Sequence, residues 1–247
     1  MTAVFALTER QIRASFRNFD IVFAVLVPIL TFVGFTIGLR NVIDTGGVGY
    51  SQYVLPAVVV QAMLFGALNT TDLAAAEKSS AFGVRLRTLP ISVRAPMIAR
   101  MLYCLIRGAL ALAAAFAVAY PFGFRMDGGL LLGATFVLLS LALTLALSFG
   151  AEATGTRAKR SDTSSQLLLI PQLLLVLLST GMAPVDSFPR LVQPFVEYQP
   201  ISQITETLRG FASGEVVASN LTMTLAWCIA LLVGFGYLAL RGQAGRR

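Results

Sequence analysis

The sequence predicts an all-α integral membrane protein with six transmembrane helices, an N-terminal interfacial helix and a short helical hairpin between spans five and six. Three observations predict it. Of the 247 residues, 56% are hydrophobic and 13% charged, where soluble domains carry about 25% charged residues. Six stretches, near 21–39, 53–71, 98–120, 129–150, 166–184 and 220–240, are each apolar over roughly the 20 residues a helix needs to cross hydrocarbon. Finally, threading the chain with its N-terminus inside puts 14 of the 19 Lys and Arg residues on the inner side. That bias sets topology, with both termini cytoplasmic. What remains outside the spans is too little for a second domain, so residues 1–247 form a single membrane domain.

Taken in order, residues 4–20 place Val4, Leu7, Ile12, Phe16 and Phe19 on one helical face and Glu9, Arg10, Arg13 and Arg17 largely opposite. This is the pattern of a helix in the membrane plane. Two readings stand: a cationic anchor for span one, or a helix that also touches a cytoplasmic partner. Span one begins at Ile21 after this polar stretch, a pattern unlike a cleavable signal. Span one carries Pro28, span two Gln61 and Asn69, and span five Pro171 and Gln172. Polar side chains in hydrocarbon face protein or water. These residues therefore either bond neighbouring helices or line a pathway.

The densest polar run, Glu77 to Arg94, separates spans two and three. Its Glu77–Arg87 part reads as a short helix on the cytoplasmic face, stopped at Leu89-Pro90. In span three, Arg107 lies about 10 Å along the helix from Arg100. That is within snorkelling reach of the surface, so Arg107 is assigned an anchoring or inter-helix role. Glu152 falls at the inner end of span four. Cys104 and Cys228 lie within different spans and read as buried structural residues rather than a disulfide or metal pair. Between spans five and six, residues 185–214 are too polar to span yet rich in apolar side chains. Pro189, Pro194 and Pro200 divide the segment, and Glu206 and Arg209 lie three apart in its last helix. It reads as two short helices dipping back into the outer leaflet.

The chemistry absent is equally informative. There is no histidine, which removes the commonest metal ligand and acid–base catalyst. No metal site and no catalytic residues are assigned, and the chain does not read as an enzyme. A nucleotide-binding P-loop needs Gly before Lys, and neither Lys78 nor Lys159 follows a glycine. The basic charge is spread over four inner segments and reads as topology, with no nucleic-acid partner. Energy for uphill transport must then come from an ion gradient or from another polypeptide, and single scattered acids favour the second.

Two segments carry a family resemblance. One is Glu77 through Ser92, an acidic–glycine–basic run closing in Leu89-Pro90-Ile91-Ser92. The other runs from Ser179-Thr180-Gly181 through Pro184, Phe188-Pro189, Gln193-Pro194-Phe195 and Gln199-Pro200-Ile201-Ser202 to Leu208-Arg209-Gly210-Phe211. With these, essentially the whole chain resembles permease subunits of type-2 ATP-binding cassette exporters, particularly the daunorubicin-resistance-like permeases. The resemblance implies a permease moving a hydrophobic drug or complex lipid across the cytoplasmic membrane, powered by a separate ATPase, present in two copies, that holds the ATP and Mg. It implies a second permease chain, identical or paralogous, pairing through spans one and five. Residues 77–92 would be the coupling segment docked on the ATPase, with Glu77, Phe82, Gly83, Arg85, Arg87, Leu89, Pro90, Ile91 and Ser92 as its residues and the 4–20 helix beside it. Residues 185–214 would form the outer hairpin. The rival readings are a gradient-driven secondary transporter, and a structural membrane subunit or small membrane enzyme that transports nothing.

Overall fold

The computed structural model describes residues 2–40, 49–88, 90–92, 94–157, 164–181 and 183–244, and among these there is no strand. Ten helices are present among the described residues: α1 (Thr2–Arg17), α2 (Asp20–Leu39), α3 (Tyr50–Ser79), α4 (Ala81–Thr88), α5 (Ala95–Ala119), α6 (Gly129–Arg157), α7 (Ser164–Leu177), α8 (Gln193–Tyr198), α9 (Pro200–Ser213) and α10 (Ala218–Ala244). Five of them (α2, α3, α5, α6 and α10) are long and apolar enough to cross a membrane, and α7 adds a shorter apolar helix over Leu168–Leu177.

The middle of the bundle is α3. It packs on α6, α5, α2, α9 and α7, and most of its span is buried, whereas α10 is largely exposed. Its core face (Val54, Leu55, Val58, Val59 and Met63) meets Leu112 and Ala115 of α5 and Phe136 and Leu143 of α6. Within hydrocarbon, apolar burial gives little drive for helices to associate, so close approach over small residues matters most. Gly155 illustrates this. A side chain there would run into the Thr71 carbonyl and the Ala74 methyl of α3. Phe116 packs on Phe124 and Phe136, with ring centroids 5.7 and 5.3 Å away, and closes the far end of the core.

Four expectations change in detail. Span two does not stop near 71 but continues as α3 to Ser79. At 30 residues α3 is about 45 Å long against roughly 30 Å of hydrocarbon, so its polar end projects beyond the apolar layer. The Glu77–Arg87 helix is really two elements, because Glu77 ends α3 and α4 begins only at Ala81. Span 166–184 is helical only to Leu177. There Ser179 Oγ donates to the Val176 carbonyl (2.6 Å) and accepts from the Gly181 N–H (3.3 Å), local bonds that compete with the helix. The N-terminal helix spans Thr2–Arg17 rather than 4–20, and its buried positions are Thr8 and Ser15, while Phe16 and Phe19 are exposed.

Candidate functional site

At one end of the bundle, α1 packs on the starts of α5 and α2, and α4 packs on α3. The break between α3 and α4 is made by Ser80, which leaves the helix in an extended conformation (φ −82°, ψ 151°). Its hydroxyl donates to the Glu77 carbonyl (2.9 Å) and accepts from the Gly83 N–H (3.1 Å). It thus caps α4 and ties it to α3 at once. Gly83 is buried, and any Cβ on it would collide with the Glu77 carbonyl oxygen. Leu86 is buried, while Val84 and Arg85 face outward. Phe82 lies beneath the Arg10 guanidinium of α1, 3.3 Å from ring centroid to charge centre, so α1 clasps α4. Arg13 pairs with Glu9 on the outer side of α1, and Arg17 is exposed in its last turn. Pro90 is exposed and Ile91 half-buried, and the Ser92 carbonyl accepts from Ala95 at the start of α5 (2.9 Å). Leu89 and the Arg87 side chain lie outside the described residues.

Beneath this cap sit two ionic centres. In the first, Arg100 of α5 donates from Nε and Nη2 to both Glu152 carboxylate oxygens of α6 (2.8 and 2.6 Å). Its Nη1 pairs with Glu77 Oε2 at 2.6 Å. Arg100 and Glu152 are almost fully buried, and Glu77 is the outermost member. In the second, Asp20 opens α2, where the helix dipole favours an acid. It accepts from Ser15 (3.0 Å), Asn69 (2.9 Å) and Tyr103, and pairs with Arg107 at 3.3 Å. Gly66 of α3 leaves room for the Arg107 guanidinium. The turn into α2 runs through Phe19 at φ +60°, a left-handed conformation unusual for a non-glycine residue. Arg107 therefore has the inter-helix role expected of it. Sequence reasoning did not single out Arg100, Glu152, Asp20 or Tyr103 as a constellation. The available signal was the spacing of Arg100, Tyr103 and Arg107, which places all three on one face of α5.

The residues considered as pathway lining do not converge. Asn69 belongs to the Asp20 centre, and Pro28 is buried within α2. Gln61 has a buried Oε1 with no hydrogen-bond partner among the described residues. On α7, Pro171 faces outward and Gln172 is half-buried. Helices α2 and α7 both lean on α3.

At the opposite end, a short 3₁₀ turn (Val185–Ser187) leads into α8 and α9. Pro189 supplies a turn carbonyl to Val192, Pro194 opens α8, and Pro200 opens α9. Arg209 of α9 donates to the carbonyls of Tyr53 (2.9 Å) and Thr180 (2.9 Å) and to Glu206 (2.6 Å). Its charge lies 3.6 Å above the Tyr53 ring. One side chain thus joins the hairpin to α3 and to the turn after α7. Among the described residues, no cluster of His, Cys, Asp or Glu is placed to hold a metal, and Cys104 and Cys228 are both buried and unpaired.

Comparison with known proteins matches this architecture. Residues 2–212 match the ABC-2 type transporter family. The doxorubicin resistance ABC transporter permease protein DrrB of Mycobacterium tuberculosis is 30% identical, over 93% of this chain and 84% of its own. The probable doxorubicin resistance ABC transporter permease protein DrrC of the same organism is 27% identical over 85% and 76%. The daunorubicin resistance ABC transporter permease protein DrrB1 of Streptomyces coeruleorubidus is 26% identical over 97% and 86%. This chain, a multi-pass helical membrane protein, belongs to the ABC-2 type transporter family.

Proposed function

We propose that the chain is the permease half of a drug exporter in the cytoplasmic membrane, driven by an ATPase that docks on α4. Two permease chains, identical or paralogous, would pair with two ATPase copies that hold the ATP and Mg, and the α1/α4 end with both termini would face the cytoplasm. The observation that carries this reading is the mechanical continuity of α4. Gly83 and Ser80 fasten α4 to the Glu77 carbonyl, and the Glu77 carboxylate reaches α5 and α6 through Arg100. A push on Val84 and Arg85 would thus be felt by three helices. The outward, mixed apolar and cationic face of α4 suits a protein partner, with Arg10 of α1 beside it and Arg13 and Arg17 farther along α1. The charge bias along the chain supports the orientation, and the names of the relatives support anthracycline-like cargo, with an envelope lipid as the other cargo class. The gradient-driven alternative is disfavoured because Glu152 and Asp20, two acids inside this end of the bundle, are engaged by Arg100 and Arg107.

The test is co-purification with the partner ATPase subunit. Val84→Asp combined with Arg85→Glu is expected to weaken assembly at least tenfold and to abolish ATP-dependent doxorubicin uptake into inverted vesicles. Full assembly and uptake by this variant would refute docking on α4.

A further inference from the structure

We propose that the outer face of α1 is a binding site for an anionic phospholipid of the surrounding leaflet, a resident of the membrane rather than cargo. Its phosphate lies between Arg13 and Arg17, and its acyl chains lie over Phe16, Phe19 and Phe23. A hollow of about 470 Å³ opens on this face, lined by Ala6, Glu9, Arg10, Arg13, Ala14 and Arg17. The arginines follow one another at spacings of three and four, which places them on one side of the helix.

The lining selects an anion. It carries three guanidinium groups against one carboxylate, and the two alanines keep its floor low. Arg10 is partly committed, since its charge lies 3.3 Å from the centre of the Phe82 ring. Arg13 pairs with Glu9, but their side chains are 79% and 61% exposed, so water competes for the pair and it yields to a stronger anion. Arg17 is exposed and has no ion-pair partner among the described residues. The next acid along the chain, Asp20, is turned onto Arg107, Ser15 and Tyr103. The C-terminal end of the α1 dipole opposes an anion, and Arg17 in the last turn offsets it.

The apolar band beside the arginines makes the anion a lipid. Phe16, Phe19 and Phe23 are 61%, 63% and 60% exposed, and they run from the last turn of α1 through the left-handed turn into α2. Helix α2 is the first one long and apolar enough to cross a membrane, so this corner lies where acyl chains give way to headgroups. Phenylalanines on one flank and arginines on the other match the two halves of a phospholipid. A free anion would leave the aromatic flank in water. The site also bears on α4, because the helix that holds the lipid is the one whose Arg10 covers Phe82. An occupied site steadies that contact from the membrane side.

The inference needs neither cargo nor ATPase, so it stands apart from the export reading. The full-length chain, delipidated in dodecyl maltoside, is titrated with phosphatidylglycerol, phosphatidylcholine and inorganic phosphate, and bound molecules are counted by native mass spectrometry. Phosphatidylglycerol is expected to bind at least about tenfold more tightly than phosphatidylcholine or inorganic phosphate. Arg13→Gln with Arg17→Gln should erase most of that preference, while Arg13→Lys with Arg17→Lys, which keeps the charge, should retain most of it. Phe16→Gln with Phe23→Gln should weaken both lipids alike and leave their ratio unchanged. All four side chains are exposed, so the bundle is expected to tolerate each change. Equal affinity for the two lipids in the wild-type chain, an undiminished preference in the double glutamine variant, or inorganic phosphate bound as tightly as phosphatidylglycerol would overturn the assignment. A glutamine variant that keeps its lipid preference but loses the ATPase in co-purification would give this face to a protein partner instead.

Discussion

The two ends of the bundle are each organised by one arginine, and the two arginines are held differently. Arg100 is held by carboxylates from two other helices. Arg209 is held mainly by carbonyl oxygens and an aromatic face, with Glu206 on its own helix. A carbonyl cage fixes geometry and loses little when one contact slips. A buried charge cluster cannot lose a member cheaply, because the remaining charges are left in a medium that solvates them poorly. The α9 end is therefore a clasp that tolerates small slips, while the α1/α4 end is tied into the bundle as one ionic unit.

Removing the charges separates the two most sharply. Arg100→Met strands two acids and should cost about 3–5 kcal/mol, seen as loss of folded protein in a thermal-unfolding assay. Replacing Glu77, Arg100 and Glu152 together by apolar residues should recover most of that loss. A clasp should respond more gently. Arg209→Lys gives up the planar fork but keeps the charge, and about 1–2 kcal/mol is expected in the same assay. Between helices α3 and α4, Gly83→Val should displace α4 without unfolding the bundle. ATPase co-purification should fall severalfold while the unfolding temperature shifts by no more than a few degrees. The smallest effect belongs to the α1 clasp. Arg10→Ala removes one cation–π contact, worth about 0.5–1 kcal/mol, and should raise hydrogen exchange in α1 and α4 but not in α5.

Five spans were legible because runs of about 20 apolar residues admit few alternatives. The proline divisions of the hairpin were legible for a similar local reason. The orientation of α1 was not. A helix in the membrane plane was expected, but not which polar positions would meet the bundle: Ser15 faces inward onto Asp20 and Tyr103, and Thr8 onto the Ala99 carbonyl. The span at 166–184 misled because Leu178, Met182 and Ala183 prolong the apolar stretch past Leu177, while the stop comes from the Ser179 hydroxyl. The ionic centres were the hardest to see. Arg100 and Glu152 are 52 residues apart, and Arg107 and Asp20 are 87 apart. Only the fold brings them together, although the α5 side of each pair was written in its periodicity.

The central claim is that Glu77 links a docked ATPase to the bundle through Arg100. Its most direct test is the ratio of substrate transported to ATP hydrolysed in proteoliposomes holding the complete transporter with Glu77→Gln. The expected result is normal assembly with the ATPase and continued hydrolysis, with transport per ATP reduced about tenfold or more, since a hydrogen bond replaces a charge-assisted pair at the moving joint. Wild-type transport per ATP in that variant would contradict the account.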